Sequence, residues 1–520
     1  MVWLRRTLIG LLILMVLILI AHVGLNLWIK NRLPVVLNRE NDSQYEITYG
    51  DLEVSLLSRS MMASDIIVVP KASLVNKATK EGFYAKINSV EIARFKIFDI
   101  IFNDKLRAQA INITKPEIII YELTEEKKKD PRRIREKVVE PFRKIILVSE
   151  IAMSEGDLKI LYVKSNDPIL HISNIAFEID GIVLTDATLE QKIPFGFDQY
   201  KISCDSVYYR PNPYYGIRAG KFQTNNNSLS IANASYLPRV SRQKFVASLP
   251  LEKDLFTVKT GNISIDSIDW GFKNDKFFLH TKKIQLDDVA ANVYRSKIPP
   301  DDPKKKHLYN KLLREIPFDL HVEKFEVRHG TIQYEEEKTF EKGSGLLSFN
   351  NLYMTAHNLS SGYGQKKVPN VVIDVNCKFM NLAPMKLHWT MNVLDQSDGF
   401  NISGSILKFP AAGLTPFTKP YMNVTAEGML DKIYFNYTGN DAVAKGDFAV
   451  EYDDLKFNIL QKKDRKKKNK VLSAIANLFV KNDTKDRVKQ TDIEVDRLQD
   501  KSFFNFFWRM NAEGLKKLLI

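Results

Sequence analysis

The chain has 520 residues, with 76 Lys and Arg against 62 Asp and Glu, giving a formal net charge of +14. Its 2 cysteines exclude the disulfide framework that small extracellular scaffolds use in place of a core. The basic surplus favours anionic lipid headgroups as partners. Nucleic acid is not expected, because no zinc-finger spacing, helix-turn-helix signal or aromatic RNA-binding motif accompanies the charge.

An apolar segment at residues 7–28 predicts a transmembrane helix over 7–29, with 1–6 as a cytoplasmic stub. As a helix, this segment is long enough to cross the roughly 30 Å hydrocarbon core of a bilayer. A cleaved signal peptide is the alternative, but its apolar core is shorter, at roughly 7 to 15 residues. Basic residues flank both ends, so charge does not decide the orientation. The anchor residues are Leu8, Leu12, Val16, Ile20 and Trp28.

Beyond the Leu-Pro pair at 33–34, apolar and polar residues alternate in short runs. Period-two alternation predicts strands with one apolar and one polar face. In the clearest run, 400–406, Phe400, Ile402 and Ile406 share one face. The opposite face carries Asn401, Ser403 and Ser405. The sequence therefore predicts a mainly β chain.

A β-hairpin is predicted near the end of this region. Apolar and polar residues alternate up to the Asp-Asp pair at 453–454, with Phe448, Val450 and Tyr452 on one side. A second alternating run follows to residue 459. Two alternating runs joined by a short polar pair are typical of a tight turn. We therefore place two strands here, joined at 453–454.

An internal duplication is indicated by segments that recur at one constant offset along the chain. Residues 83–92 resemble 256–265, and 111–121 resemble 284–294. In each copy a charged, helix-like insertion follows, at 125–140 and at 301–315, and two strands around a glycine come next. The resulting domain boundaries are 30–80 for an N-terminal β segment, 81–252 and 253–428 for two repeat units, and 429–520 for a C-terminal segment.

The C-terminal segment combines a basic run with short helical patterns. Residues 462–470 are nearly all basic, 471–480 form a candidate amphipathic helix, and 514–520 predict one or two last helical turns. A solvated loop is one interpretation of the basic run, and a headgroup-contacting patch is the other. The candidate headgroup contacts are Lys462, Lys463, Arg465, Lys466 and Lys467.

No catalytic, metal or cofactor-binding residues are predicted. The phosphate-binding loop, zinc-protease, nucleophile-elbow and dinucleotide-binding motifs are all missing from a usable context. The nearest histidine pair, His321 and His329, has no cysteine or carboxylate at metal-ligand spacing. We expect a protein that is not an enzyme. Cys204 and Cys377 are separated by the same offset as the two copies, and an extended repeat predicts that they stay unpaired.

The order of these features resembles the AsmA-like family, the TamB-related envelope proteins of diderm bacteria. An N-terminal anchor, the 47–58 segment and a long alternating β chain carry the resemblance. The closing segments 414–417, 424–428, 430–437 and 445–456 add to it. The resemblance rests on the order of elements more than on individual residues, and it extends over most of the chain.

The resemblance implies a fold and a role. The fold is a long, twisted, mostly antiparallel β-sheet curled into a hydrophobic groove, with a few short helical insertions. The role is carrying phospholipid between inner and outer membranes for envelope homeostasis. The chain would then be a single-pass protein of the bacterial inner membrane, with its bulk in the periplasm and membrane phospholipids as partners. The candidate lipid-facing residues are Phe400, Ile402, Ile406, Phe448 and Val450.

A second hypothesis is a scaffold or assembly factor for outer-membrane protein biogenesis, whose strand edges hold other β chains. The two hypotheses differ in what covers the apolar face of the sheet. A lipid groove leaves a continuous apolar face open, whereas a scaffold packs that face with its own side chains.

Overall fold

The computed structural model describes residues 23–24, 45–55, 58–75, 80–96, 106–122, 146–183, 195–274, 276–461, 483–484 and 487–519. The chain divides into two compact units. Unit 1 comprises Met1–Pro211 and Ala219–Asn226, and unit 2 comprises Asn212–Arg218 and Asn227–Ile520. Both are built mainly from β-strands, which confirms the predicted fold class at that level.

Unit 1 is a mixed sheet. Its elements are β1 (Tyr45–Thr48), β2 (Asp51–Ser55), β3 (Ser60–Pro70), α1 (Lys71–Val75), β4 (Gly82–Ala93), β5 (Leu106–Glu122), β6 (Ile146–Tyr162), β7 (Pro168–Asp180), β8 (Gln199–Cys204), β9 (Ser206–Asn212) and β11 (Phe222–Asn225). Strands β1 and β2 pair with β3, and β3, β4 and β5 are antiparallel neighbours. Strands β5 and β6 are parallel. Strand β7 is antiparallel to β6 and also pairs antiparallel with β8 and β9.

Seven strands and two short helices form the first part of unit 2. They are β10 (Tyr215–Ala219), β12 (Ser228–Ala232), β13 (Ser235–Pro238), β14 (Asp254–Lys259), β15 (Asn262–Lys273), β16 (Lys276–Asp287) and β17 (Ala290–Ser296), with helices α2 (Arg242–Ala247) and α3 (Tyr309–Arg314). Helix α3 lies within the predicted insertion 301–315 and takes up six of its residues. The other predicted insertion, 125–140, lies outside the described residues.

Eight more strands complete unit 2, each antiparallel to the next along the chain. They are β18 (Asp319–Glu337), β19 (Ser344–Ser360), β20 (Val371–Phe379), β21 (Ala383–Met391), β22 (Phe400–Pro410), β23 (Val424–Gly439), β24 (Val443–Ile459) and β25 (Lys489–Asp496). The 3-10 turn Ala411–Leu414 and helix α4 (Thr415–Met422) separate β22 from β23, and α5 (Phe503–Leu519) closes the described chain.

Parallel pairs occur at equivalent points in the two units. In unit 1 β5 pairs parallel with β6, and in unit 2 β16 and β17 both pair parallel with β18. A parallel partner needs a long crossover, and the insertion before β6 or β18 supplies it. Strand β6 begins at 146 and β18 at 319, which reproduces the offset between the two copies predicted from the sequence.

The same backbone kink recurs in both copies. Glu155 before Gly156 and His329 before Gly330 have φ of 55° and 54°, and the strand register shifts at both glycines. On the neighbouring parallel strand, Lys115 in one copy has φ 51°. Its counterpart in the other copy, Asp288, has φ 55° and separates β16 from β17. The register shifts at Gly156 and Gly330 are β-bulges, and the recurrence of these positive φ angles at one offset supports the duplication.

The predicted hairpin at 448–459 is wrong, because β24 is a single continuous strand. Asp453 pairs with Met429 on β23, and the register shift beside Gly428 marks a bulge. A two-residue hairpin turn needs positive φ at both central residues in type I′, or at the first of them in type II′. Here Asp454 has a φ of 47°, but the φ of Asp453 is not positive. The two residues therefore form a bulge in a continuous strand and not a chain reversal.

The C-terminal helix is longer than the one or two turns predicted at 514–520. Helix α5 has 17 residues and begins at Phe503, within the aromatic run. Aromatic residues have modest helix propensity, so the local sequence did not indicate a helix at that point. The period of Phe503, Phe506, Met510 and Gly514 places all four on the buried side, and packing therefore stabilises the helix.

Candidate functional site

Two rows of residues, apolar except for Thr491 at one end, cross eleven strands of unit 2. The strand register links them partner to partner. Row 1 contains Leu229, Ile265, Ile284, Phe325, Ala356, Ile373, Trp389, Ile402, Tyr437, Gly446 and Ile493. Row 2 contains Ile231, Ile263, Leu286, Val327, Met354, Val375, Leu387, Gly404, Phe435, Phe448 and Thr491. Register partners point to the same face of a sheet, so the rows form one surface, here called the apolar strip.

The apolar strip has an open part and a covered part. In the open part, on β12, β15, β16 and β18 to β21, every row residue except Val327 and Ala356 is only half-buried. In the covered part, on β22 to β25, the side chains of Ile402, Tyr437 and Phe448 are at most 1 % exposed. At roughly 4.8 Å per strand, the seven strands of the open part span about 30 Å.

Helix α5 makes the covered part. Phe503 stacks on Trp389 with ring centroids 4.5 Å apart, at the boundary between the two parts. Farther along, Phe507 packs edge-on against Phe435 at 5.2 Å. A Cβ atom at Gly514 would lie 2.3 Å from the Phe448 ring, so the helix approaches the strand as closely as glycine permits.

The opposite face of the same strands is polar. Between the apolar residues of β16 lie Lys283 and Gln285, and β18 contributes Lys324, Glu326 and Arg328. All three cations lie within ion-pair distance of the Glu326 carboxylate. Hydrogen bonds and charge interactions with Lys324, the largest cause, and with Lys283 lower the pKa of Glu326 to about 2. Burial acts in the opposite direction. The sheet therefore separates a charged face from an apolar one.

Unit 1 carries apolar rows of its own, on both sides of its bend. One row contains Val68, Ala85, Ile118, Leu158, Ile172 and Val207. The other contains Met61, Ile92, Ile111, Ile151, Ile179 and Tyr200. Apart from Ala85 and Met61, these side chains are not fully buried. Each unit thus presents a partly uncovered apolar face.

The structure places the candidate lipid-facing residues on the predicted face. Phe400 and Ile402 alternate with Asn401, whose side-chain amide donates to Thr438 Oγ1 at 3.0 Å on the other side of the sheet. Phe400, Ile402, Phe448 and Val450 are at most 5 % exposed and belong to the core beneath α5, whereas Ile406 is half-buried at its margin. Lipid contact at these residues stays a prediction.

Sequence reasoning did not select the open part of the apolar strip. Ile263 and Ile265 alternate with polar residues on β15, as Ile284 and Leu286 do on β16. The same period-two count that selected 400–406 finds these runs. The sequence of one run does not determine the register that aligns its strand with ten other strands.

Other predicted sites lie outside the described residues. These are the anchor positions Leu8, Leu12, Val16, Ile20 and Trp28 and the basic positions Lys462, Lys463, Arg465, Lys466 and Lys467. Within the described ranges, no helix has both the length and the apolar character needed to cross a bilayer. The same ranges hold no group of three or more His, Cys, Asp or Glu side chains arranged for a metal ion.

Both cysteines are free and buried in the structure. Cys377 lies beside row 2, paired in register with Met385, and is 7 % exposed. Burial raises the pKa of its thiol to about 11. Burial also raises the pKa of the Cys204 thiol.

We expect Cys377 to resist N-ethylmaleimide at pH 8. Because its pKa is raised, the reactive thiolate fraction is about a hundredfold below that of an ordinary thiol, and burial limits access further. Mass spectrometry of a Cys204→Ser variant measures the labelling. The matched control moves the thiol one residue, to the exposed position 376 (Cys204→Ser, Cys377→Ser, Asn376→Cys), where labelling should be rapid. Equal labelling rates at the two positions would contradict the buried placement.

The site is therefore a surface for apolar contact, formed by register across many strands and closed at one end by a helix. No family model matches the sequence, and no curated protein matches it either.

Proposed function

We propose that this chain is a lipid carrier whose sheet forms a hydrophobic groove, with the open part of the apolar strip as the binding surface for acyl chains. The observation that carries the proposal is the half-burial of nearly every row residue from β12 to β21. Apolar surface left partly in water favours an apolar occupant, since each methylene removed from water contributes about 0.8 kcal/mol. Lipid tails meet that requirement.

The shape of the surface supports an extended ligand. Rows 1 and 2 lie two residues apart along each strand, which is roughly 7 Å. Side by side they give a long, narrow apolar band, and the charged face of the same strands lies on the other side of the sheet. A narrow band of this kind fits chains that lie across the strands better than a compact ligand.

The proposed setting follows from the resemblance to AsmA-like proteins and from the apolar segment at 7–28. That segment would hold the protein in the inner membrane of a diderm bacterium, with the β units in the periplasm. The cargo would be phospholipid that moves between inner and outer membranes for envelope homeostasis. The chain would act as a conduit and not as an enzyme.

The test places a photoreactive amino acid at Leu286, in row 2 of the open part, in the full chain expressed in a diderm bacterium. Irradiation followed by mass spectrometry of the purified protein should detect a phospholipid adduct. The matched control is the adjacent Gln285, whose amide donates to Asp287 at 3.0 Å on the polar face. We expect at least about tenfold less lipid adduct at Gln285.

Lipid adducts in equal amounts at both positions would overturn the proposal. Adducts to other envelope proteins at Leu286, without lipid, would favour the alternative function as an assembly scaffold. The two positions are adjacent on the same strand, so differences in expression or membrane proximity do not explain a selective result.

A further inference from the structure

The face of unit 2 that carries the apolar strip becomes polar on one side of row 1. On β16, Lys282 comes two residues before Ile284, and on β18, Glu323 comes two residues before Phe325. Residues two apart on a regular strand point to the same face, and the backbone between these residues has no positive φ. Lys282 and Glu323, here called the charged pair, therefore border row 1 on the side away from row 2.

The charged pair consists of neighbours on adjacent strands. The register of β16 and β18 is the same before and after them, so Lys282 lies opposite Glu323, across a strand spacing of about 4.8 Å. Both residues are exposed. In the described part of the chain, neither side chain has a hydrogen bond or an ion pair. Two opposite charges are therefore free to bind a ligand beside the apolar strip.

The next residue on each strand is also charged, but its charge is balanced within the protein. Lys283 and Lys324 point to the polar face, and both lie within ion-pair distance of Glu326. The polar face thus supplies a carboxylate for its lysines, whereas the charged pair has no such partner among the described residues. Charges without a protein partner beside an apolar surface suit a ligand that has both apolar and charged parts.

Acidic groups predominate on this part of the face. His280, two residues before Lys282, has its Nε2 atom 3.0 Å from the Asp319 carboxylate, and the His321 ring lies 6.0 Å from the His280 ring. The register partner of His280 on β15 is Asp269, which is exposed. One lysine therefore accompanies three carboxylates, those of Asp269, Asp319 and Glu323. This balance disfavours a headgroup that is only anionic and favours one that also has an ammonium group.

We propose that the charged pair binds the headgroup of a zwitterionic phospholipid whose acyl chains lie on the open part of the apolar strip. Lys282 donates to the phosphate, and Glu323 accepts from the ammonium, as charge-assisted hydrogen bonds. Phosphatidylethanolamine joins these two groups by a short carbon linker, so both can reach side chains on adjacent strands. The inference rests on the proposed function and deepens it, because it names the class of lipid that the strip carries.

The test uses the purified full chain with the photoreactive residue at Leu286, reconstituted into vesicles made of phosphatidylethanolamine and phosphatidylglycerol in equal amounts. After irradiation, mass spectrometry measures the ratio of the two lipid adducts. We expect this ratio to favour phosphatidylethanolamine about threefold, a size typical of exposed ion pairs. In Glu323→Lys the ammonium loses its partner and the phosphate gains a second cation, so the ratio should fall at least about fivefold.

The matched control is Asp266→Lys, which makes the same change of charge beside row 1 but on the polar face. Asp266 is exposed, and its register partner is Lys283. The adduct ratio should stay within about twofold of the parent. The exchange of the charged pair, Lys282→Glu with Glu323→Lys, keeps both charges side by side and should return the ratio to within about twofold of the parent. The exchange tests the pair even where a single substitution disturbs the strand.

Lipid adducts with the same ratio in Glu323→Lys and in the parent would overturn the headgroup site and leave the lipid carrier in place. An equal fall in the ratio for Asp266→Lys would assign the preference to the overall charge of the protein, and it would overturn the site as well. An exchange variant that keeps the low ratio of Glu323→Lys would have the same consequence. Absence of any lipid adduct at Leu286 would refute the lipid carrier and the headgroup site together.

Discussion

Replacement of Ile402 by Asp is expected to destabilise unit 2 by about 4 kcal/mol, because it removes a core side chain and buries a carboxylate. Ile402 is 1 % exposed, and its register partners on β21 and β23 are Trp389 and Tyr437. Helix α5 covers this part of the sheet, so water does not reach the new charge. The free energy of unfolding, followed in urea by tryptophan fluorescence, measures the effect.

Ser403→Asp is the matched control on the same strand. Ser403 is half-buried on the polar face, where its register partners are His388 and Asn436. A carboxylate there remains hydrated, and the expected change is within about 0.5 kcal/mol. Equal losses at the two positions would indicate a sheet buried on both faces. Little loss at Ile402 would show that α5 does not cover β22.

This pair of variants also changes how lipid contact should be tested. From the sequence, Ile402 is a candidate for contact with lipid, and the structure instead shows it packed beneath the protein's own helix. A lost lipid adduct in Ile402→Asp would then report unfolding as well as binding. Leu286 gives a cleaner test, because it occupies the same face in the open part.

The alternation of single strands was predictable because it is a local property. Side chains two residues apart point to the same face whatever the partners of the strand are, so the faces of 400–406 followed from the sequence. The duplication stays a prediction, and it was proposed for a related reason. The sequence pattern repeats the order of strands and insertions, and parallel strand pairs recur at the same offset along the chain.

Register and covering were not predictable in this way. Asp453 and Asp454 have the composition of a turn, yet the pairing of β24 along β23 keeps the strand continuous. The aromatic run from Phe503 becomes helical because its buried side packs on β24 and β25, and those contacts join residues distant in sequence. The packing of α5 determines which part of the apolar strip is covered. The sequence of a single strand does not predict that packing.

Gly514 is the position on α5 where a substitution most directly tests how the helix packs on the sheet. Gly514 is buried in the helix facing Phe448, and a Cβ atom there would lie 2.3 Å from the Phe448 Cγ. The nearest atoms all belong to one aromatic side chain held in the core, at 1 % exposure. Glycine is intrinsically unfavourable within a helix, so its presence at this contact indicates that close approach outweighs helix propensity.

Gly514→Val is expected to lower the free energy of unfolding by about 2 kcal/mol, since extra methyl groups in a packed contact force the helix or the ring to shift. Ala512→Val is the matched control, because Ala512 is on α5 but is not fully buried and should show only the small propensity cost of a β-branched residue. Displacement of α5 would also uncover row residues of β22 to β25. A photoreactive residue at Tyr437 should therefore form lipid adducts in Gly514→Val and not in the parent. Unchanged stability together with unchanged adducts would show that α5 does not close the apolar strip.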